Sequence, residues 1–290
     1  MGQPGLGPLP ALLSARPGPS RARDRDLEQV LVAPAGLEVH AVTKSYNSAE
    51  KVVRVLDGVD LVAQPGEFVS VIGPSGCGKS TLLEVIAGLQ EPEAGKVLFG
   101  DLPQRPGCQP RSAYMPQRDV LFPWRRVLDN VTLGLEVAGV NKVEARQRVA
   151  PLLEAFGLAG FEKAYPFQLS GGMRQRAALL RTVVQGRNLL LLDEPLGALD
   201  SLTRTQMQVW LESVWEQYRW TVLLVTHDIR EAVYLSDVVY VLSARPAKTL
   251  ARVVVGLPRP RDLTMMGSAD AGEIEMRLLS KLQLSASQGI

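Results

Sequence analysis

Short, continuous runs of apolar residues alternate along this chain with segments in which apolar residues recur every three or four positions. A continuous apolar run of four or five residues predicts a strand covered on both faces, as in a parallel sheet. Runs of this kind occupy residues 68–72, 189–192, 221–225 and 238–242. Two further strand-like segments, at residues 37–42 and 52–55, precede them.

Apolar residues with helical spacing fill most of the segments between these runs. Helical regions are predicted in this way at residues 82–89, 125–165, 173–184 and 207–218. In the last of them, Trp210 and Trp215 fall on the apolar face, which predicts core positions for both. Beyond residue 245 the pattern predicts a strand, a Pro-Arg linker at 258–261 and a short helix at 273–284.

Composition indicates a globular protein whose start is poorly patterned. The chain has 290 residues, of which 46% are hydrophobic and 21% charged. Residues 1–36 contain six prolines, five glycines and four arginines, which predicts a disordered tail. No apolar run approaches the ~18 residues of a membrane span. A net charge of +2 gives no electrostatic case for nucleic acid as a partner, and two cysteines fit a reducing compartment.

A glycine-rich loop connects the first buried run to the first predicted helix. Residues 73–80 fit the pattern G-x-x-x-x-G-K-[ST], in which backbone N–H groups surround phosphate oxygens. Lys79 is predicted to reach the β- and γ-phosphates, as a catalytic residue, and Ser80 to bind Mg²⁺. The predicted ATP-binding residues of this loop are Gly73, Pro74, Ser75, Gly76, Cys77, Gly78, Lys79, Ser80 and Thr81.

A second phosphate cradle follows about ninety residues later. Ser170, Gly171 and Gly172 open a basic predicted helix, and a hydroxyl with consecutive N–H groups at a helix N-terminus suits a phosphate. A single nucleotide needs only one phosphate loop. The two cradles therefore indicate either two nucleotides or one nucleotide held from two sides.

Several polar residues follow predicted strands. Asp193 and Glu194 come directly after residues 189–192, where Asp193 is a candidate Mg²⁺ ligand and Glu194 a candidate base for water. Gln117 is a candidate to complete the Mg²⁺ shell or to position water. His227 follows residues 221–225 and is a candidate γ-phosphate contact. Tyr46 is either an adenine-stacking residue or an ordinary half-buried strand tyrosine.

In their order along the chain, these residues resemble the ATP-binding subunit of an ABC transporter over residues 37–245. The resemblance implies an α/β fold: an ABC-type P-loop NTPase with a RecA-like core, an antiparallel β-subdomain and a helical signature subdomain. The ATP-binding domain would span 37–250, with the helical subdomain at about 118–180. Residues 251–290 would form a C-terminal extension with a short helix.

The resemblance also implies a role for each residue. Tyr46 is similar to the adenine-stacking aromatic, and Gln117 to the lid glutamine that links the Mg²⁺ site to a partner subunit. Glu194 resembles the general base and His227 the switch histidine. Asp200 resembles the aspartate of the loop that crosses the dimer interface, next to bound ATP.

The partners implied by the resemblance are a second copy of the chain and a membrane protein. In a head-to-tail homodimer with two composite sites, Ser170, Gly171 and Gly172 of one protomer would close over the ATP of the other. A separate integral membrane permease would dock in a groove near residues 117–124, and a solute-binding protein would act indirectly. These expectations place the chain peripherally, on the cytoplasmic face of the cell membrane.

Further details resemble one group within the family. Met173, the Pro123-Trp124 pair and the Ser-Ala-Arg-Pro stretch at 243–246 are similar to importers of nitrate, sulfonate and taurine, some of which carry thiamine precursors. Import of a small anion is therefore the favoured function. The ATPase of an exporter and a soluble ABC ATPase of nucleic-acid metabolism remain the alternatives.

Overall fold

The computed structural model describes residues 36–47, 51–100, 102–104, 111–187 and 189–287, so almost all of the predicted tail at 1–36 lies outside it. The described strands are β1 (Leu37–Asn47), β2 (Val52–Ala63), β3 (Phe68–Ile72), β4 (Ala94–Phe99), β5 (Leu102–Pro103), β6 (Ser112–Met115), β7 (Leu189–Asp193), β8 (Thr221–Val225), β9 (Val238–Leu242) and β10 (Thr249–Val254). The described helices are α1 (Lys79–Ile86), α2 (Val127–Val131), α3 (Leu133–Val137), α4 (Lys142–Ala155), α5 (Gly171–Val183), α6 (Ser201–Tyr218), α7 (Ile229–Leu235) and α8 (Ala269–Ser287).

The larger of two sheets has the strand order β10-β9-β3-β8-β7-β6. Strands β9, β3, β8, β7 and β6 are parallel, whereas β10 is antiparallel to β9. All residues of β3, β7, β8 and β9 are buried, which is why continuous apolar runs mark them in the sequence. Because parallel strands end at one edge, the loops after β3, β7 and β8 lie together there.

The smaller sheet is antiparallel, in the order β2-β1-β4-β5. Val55 and Leu56 of β2 belong to the same core cluster as Leu82 of α1. The Tyr240 hydroxyl of β9 donates to the carbonyl of Val62 (3.1 Å) and accepts from its N–H (3.0 Å), which ties the two sheets together. The two sheets and the helices between β6 and β7 confirm the predicted fold class.

The loop that leads into α2 is organised by one buried side chain. The Asn130 carbonyl oxygen accepts from the N–H of Phe122 at 2.7 Å. The Asn130 amide donates to the carbonyls of Phe122, Arg125 and Arg126, at 3.0 to 3.2 Å. This loop carries Trp124, whose exposed position is therefore set by hydrogen bonds beneath it.

Two local predictions are wrong. The helical spacing that includes Leu89 overruns the real helix, because α1 ends at Ile86 and Gly88 adopts a φ of 74°. Leu89 is consequently 64% exposed. The predicted helix at 273–284 is longer in the structure, since α8 spans Ala269–Ser287. Within the described ranges, no helix combines the length and hydropathy of a membrane span.

The Pro-Arg stretch at 258–261 is also not the linker that its composition predicts. The Arg259 guanidinium donates to Glu212 at 2.5 Å, to Asp237 at 2.8 Å and to the Leu235 carbonyl at 2.6 Å. It also lies 4.0 Å from the ring centroid of Trp215, a buried core residue as predicted. These contacts fix the stretch against α6 and the loop before β9.

Arg261 is buried more deeply still, with 1% of its side chain exposed. Its Nη1 donates to the carbonyls of Val233, Tyr234 and Ser236, at 3.1, 3.0 and 2.8 Å. These carbonyls lie at the C-terminal end of α7, where helix carbonyls lack partners within the helix. Arg261 therefore caps α7 from a distant part of the chain.

Candidate functional site

A cleft of about 700 Å³ opens at the carboxyl edge of the parallel sheet. Its lining comprises Tyr46, Val53, Val55, Ser75, Gly76, Gly78, Lys79, Ser80, Thr81, Gln117, Glu194, His227 and Arg245. The structure thus brings most of the predicted loop residues together with Tyr46, Gln117, Glu194 and His227. Cys77 belongs to the loop, but its side chain is buried, and desolvation raises the pKa of its thiol.

The glycine-rich loop encloses the ammonium group of Lys79. Lys79 Nζ donates to the carbonyls of Gly73 (2.9 Å) and Pro74 (3.0 Å), and the side chain is buried. Lys79 makes no ion pair with a carboxylate among the described residues. Burying a cation without a counter-ion is costly, so the loop is suited to an anionic ligand.

Gly78 explains how the loop approaches the smaller sheet so closely. Its φ is 125°, and a Cβ at this position would lie 2.7 Å from Cγ1 of Val55. A side chain here would therefore clash with β2 as well as strain the backbone. The close approach closes the side of the cleft on which Tyr46 lies, and the Tyr46 hydroxyl donates to Gln90 at 2.8 Å.

Asp193 lies buried at the end of β7. Its Oδ2 accepts a 3.2 Å bond from Tyr114, while Oδ1 has no hydrogen-bond partner in the structure. Burial raises the pKa of Asp193, and hydrogen bonds from Ser80 and Tyr114 partly offset that effect. A buried carboxylate that has one unpartnered oxygen and the Ser80 hydroxyl beside it fits a hard cation such as Mg²⁺.

Glu194 is held by two neighbours that lie on other strand ends. Its Oε2 accepts a 3.0 Å bond from Gln117 Nε2 and lies 3.3 Å from His227 Nδ1. Glu194 also has a φ of 45°, an uncommon backbone conformation for a residue other than glycine. Its N–H donates to the Val225 carbonyl, which fixes this turn against β8. In this structure Gln117 thus contacts Glu194, not the predicted Mg²⁺ ligand Asp193.

The loop that carries His227 is supported from behind by Glu231, which the sequence did not single out. Thr226 donates its hydroxyl to the buried Glu231 carboxylate at 2.9 Å, and burial raises the pKa of Glu231 to about 7. Asp228 accepts from the N–H groups of Arg230 and Glu231 and so caps α7. A buried glutamate on a short helix leaves no periodic signal that would distinguish it from an exposed one.

The second cradle lies outside this cleft. Ser170 caps α5 by accepting from the Met173 N–H at 3.3 Å. Gly172 packs closely against α6, since a Cβ at this position would lie 3.0 Å from Cγ2 of Thr203. Gly171 lines a separate cleft of about 730 Å³, which shares Gln117, Glu194 and His227 with the first. Ser170, Gly171 and Gly172 therefore do not reach the glycine-rich loop of the same chain.

Asp200 likewise lies away from the first cleft. Its carboxylate caps α6 by accepting from the Thr203 N–H at 3.0 Å, and that bond lowers its pKa. Leu199, its neighbour, lines the second cleft with Gly171. Asp200 and the second cradle are thus on one face of the molecule, beside the cleft that holds Lys79.

Comparisons with known proteins agree on one family. Residues 56–197 match the family model described as "ABC transporter". An uncharacterized ABC transporter ATP-binding protein from Methanocaldococcus jannaschii is 46% identical over 79% of this chain and 85% of the relative. An aliphatic sulfonates import ATP-binding protein from Cupriavidus pinatubonensis is 44% identical over 86% of this chain and 79% of the relative.

Two solved structures of a bacterial ABC transporter cassette resemble the fold. Each has a TM-score of 0.67 and 30% sequence identity, and covers 77% of this chain and 100% of the cassette. One is described as dimeric, and the other as a dimeric post-hydrolysis state bound to ADP and Pi.

Proposed function

The chain belongs to the family of ABC transporter ATP-binding proteins and is an ATPase, and we propose that it drives a separate membrane permease that imports a small solute. The solute is a small anion of the sulfonate, nitrate or taurine kind, or a thiamine precursor. The names of its sulfonate-importing relatives support this choice. The observation that carries the proposal is the buried, unpaired Lys79 inside a glycine-rich loop that opens on a cleft.

ATP binding is assigned to the first cleft. Backbone N–H groups of residues 75–81 and the ammonium of Lys79 bind the phosphates, and Tyr46 stacks on adenine at the far end. Ser80 and Asp193 would hold Mg²⁺, and Gln117 would have to leave Glu194 to join them. The chemistry that the cation would supply is neutralisation of phosphate charge.

Glu194 acts as the general base in hydrolysis. Its carboxylate takes a proton from water as the water oxygen bonds to the γ-phosphorus, and the bond from that phosphorus to the β-γ bridging oxygen breaks. In the present structure Gln117 and His227 both contact Oε2 of this carboxylate, which holds Glu194 at the edge of the cleft.

A head-to-tail homodimer accounts for the position of the second cradle. Ser170, Gly171 and Gly172 do not line the cleft that holds Lys79, and Gly171 lines the second cleft, so this turn is available to a nucleotide on another molecule. The N-terminus of α5 offers N–H groups and a partial positive charge to the γ-phosphate. Each ATP would then lie between the loop of one protomer and the α5 N-terminus of the other.

The permease is assigned to an aromatic patch formed by Phe122, Trp124, Tyr165 and Phe167. Trp124 and Phe167 are 71% and 74% exposed. The rings of Phe122 and Trp124 are 5.2 Å apart, and those of Tyr165 and Phe167 are stacked at 5.6 Å. A groove of about 350 Å³ runs beside Trp124 and Tyr165, lined otherwise by charged residues. Such a concentration of exposed aromatic surface is typical of a protein interface.

Uptake measurements test the function as a whole. A strain that lacks this chain should lose ATP-dependent uptake of at least one anion from a panel of sulfonates, taurine and nitrate, and the wild-type chain should restore it. Lys79→Ala should not restore uptake, because the loop loses its cation and binds ATP at least tenfold more weakly. Normal uptake of every anion in the deleted strain would contradict import. Co-purification with an export permease, or salt-sensitive binding of nucleic acid, would favour the alternatives.

Replacing Trp124 tests the permease surface separately. Trp124→Ala should weaken co-purification with the permease at least tenfold, because large exposed aromatics dominate interface energies. ATPase activity of the isolated chain should be unchanged, since Trp124 does not line the ATP cleft. Val52→Ala is the matched control, because Val52 is also an exposed apolar residue but lies on β2, away from the aromatic patch. Equal permease binding by both variants would exclude the aromatic patch as the docking surface.

A further inference from the structure

Arg245 lines the ATP cleft, although the sequence marked it only as part of the Ser-Ala-Arg-Pro stretch at 243–246 and gave it no role in the site. It lies in the loop between β9 and β10. Its Nε and Nη2 both donate to the carbonyl of Gly76, at 3.1 and 2.5 Å. The guanidinium is therefore attached to the middle of the glycine-rich loop from outside.

The charge of Arg245 is left uncompensated by this contact. Gly76 offers only a neutral carbonyl, and Arg245 makes no ion pair with a carboxylate in the part of the chain that the structure describes. Lys248, in the same loop, is by contrast paired with Asp57 at 3.0 Å. Of the five N–H groups of a guanidinium, two are used on Gly76, so three remain for a ligand.

The sheet order determines which part of a nucleotide this cation can meet. Arg245 follows β9, whereas Glu194 and His227 follow β7 and β8. In the order β9-β3-β8-β7, these groups lie on opposite sides of β3, from which the glycine-rich loop emerges. Arg245 is thus on the side of the loop away from the residues that surround the γ-phosphate.

We propose that Arg245 is a nucleotide-binding residue that donates to the diphosphate shared by ATP and ADP. The inference rests on the proposed function, because it needs the first cleft to be the ATP site. Arg245 adds a second cation to the phosphate site, on the opposite side from the catalytic groups.

The test is a titration of the full chain with mant-ATP and mant-ADP. Arg245→Gln should raise the Kd of both nucleotides about tenfold and by the same factor, as expected for one lost charge-assisted contact. Arg245→Lys, which keeps the charge, should recover part of the loss. The dependence of the ADP Kd on salt should be weaker in Arg245→Gln than in the wild type, because one fewer ionic contact is made. In ATPase assays the loss should appear in KM rather than in kcat.

Lys248→Gln provides the matched control, since Lys248 is a cation of the same loop but does not line the cleft. Unchanged nucleotide Kd values in Arg245→Gln, or equal losses in Lys248→Gln, would overturn the inference. A loss confined to ATP would also overturn it, because that result would place Arg245 at the γ-phosphate. A loss with no change in the salt dependence would indicate a distorted loop and count against a phosphate contact.

The two proposals fail in different ways. If the wild-type chain bound neither mant-nucleotide, the assignment of the cleft to ATP would fail. If the wild type bound both, Lys79→Ala bound neither and Arg245→Gln bound normally, only the role of Arg245 would be wrong.

Discussion

Glu194→Gln is expected to slow ATP hydrolysis by a factor of about 10² or more, while ATP binding persists. A carboxylate that accepts a proton from water contributes about 10²- to 10⁴-fold to such a reaction, and an amide of the same shape cannot accept one. Lys79 and the glycine-rich loop are unchanged by the substitution. The variant should therefore accumulate as an ATP-bound dimer, which gel filtration with and without ATP would detect alongside phosphate release.

The control for this experiment is Glu144→Gln, which neutralises an exposed glutamate on α4. It should hydrolyse ATP at the wild-type rate. If Glu194→Gln remained monomeric with ATP and retained its activity, Glu194 would not be the base. Loss of ATP binding in Glu194→Gln would instead show that the carboxylate supports the cleft structurally.

Arg261→Met is expected to lower the free energy of unfolding by about 3 kcal/mol, the largest stability change we predict. Methionine fills much of the arginine volume but donates no hydrogen bond, so the carbonyls of Val233, Tyr234 and Ser236 would lose a partner. Burial already lowers the pKa of Arg261 to about 10, which reflects how little water reaches it. Urea unfolding followed by circular dichroism would measure the difference.

Arg252→Met is the matched control, because Arg252 is about half exposed on β10 and lies 3.9 Å from Glu67. Exposed ion pairs contribute little, so its loss should cost less than about 1 kcal/mol. An Arg261→Met variant as stable as Arg252→Met would mean that water or a shifted side chain replaces the guanidinium. The end of α7 would then not depend on the C-terminal segment.

The sequence predicted the parallel sheet well because of where its strands lie. Buried parallel strands need apolar residues at every position, so 68–72, 221–225 and 238–242 coincide with β3, β8 and β9. Leu89 was misplaced because helical spacing continues in the sequence past Gly88, whose positive φ ends the helix. Arg259 and Arg261 were read as linker residues because their partners, from Glu212 to Asp237, are distant in sequence.

The parts of the site that lie within a single sequence motif could be predicted, because such a motif adopts one local conformation. A glycine-rich loop between a strand and a helix has one arrangement, so Lys79 and Ser80 could be placed from the sequence alone. The contacts that Gln117 and His227 both make with Oε2 of Glu194 could not be predicted, since they depend on β6 and β8 flanking β7 in the sheet. The contact of Arg245 with the glycine-rich loop was missed for the same reason: only the position of β9 next to β3 brings it to Gly76.

The buried arginines Arg259 and Arg261 also determine where the chain can be truncated or fused to a tag. A chain truncated after β10 would keep every nucleotide motif yet lose Arg259, Arg261 and the apolar side of α8, including Ala271 and Leu278. The truncation would leave Glu212 and a face of the core open to solvent, which favours aggregation. Affinity tags and fluorescent reporters should therefore be fused beyond α8, with the C-terminal helix kept intact.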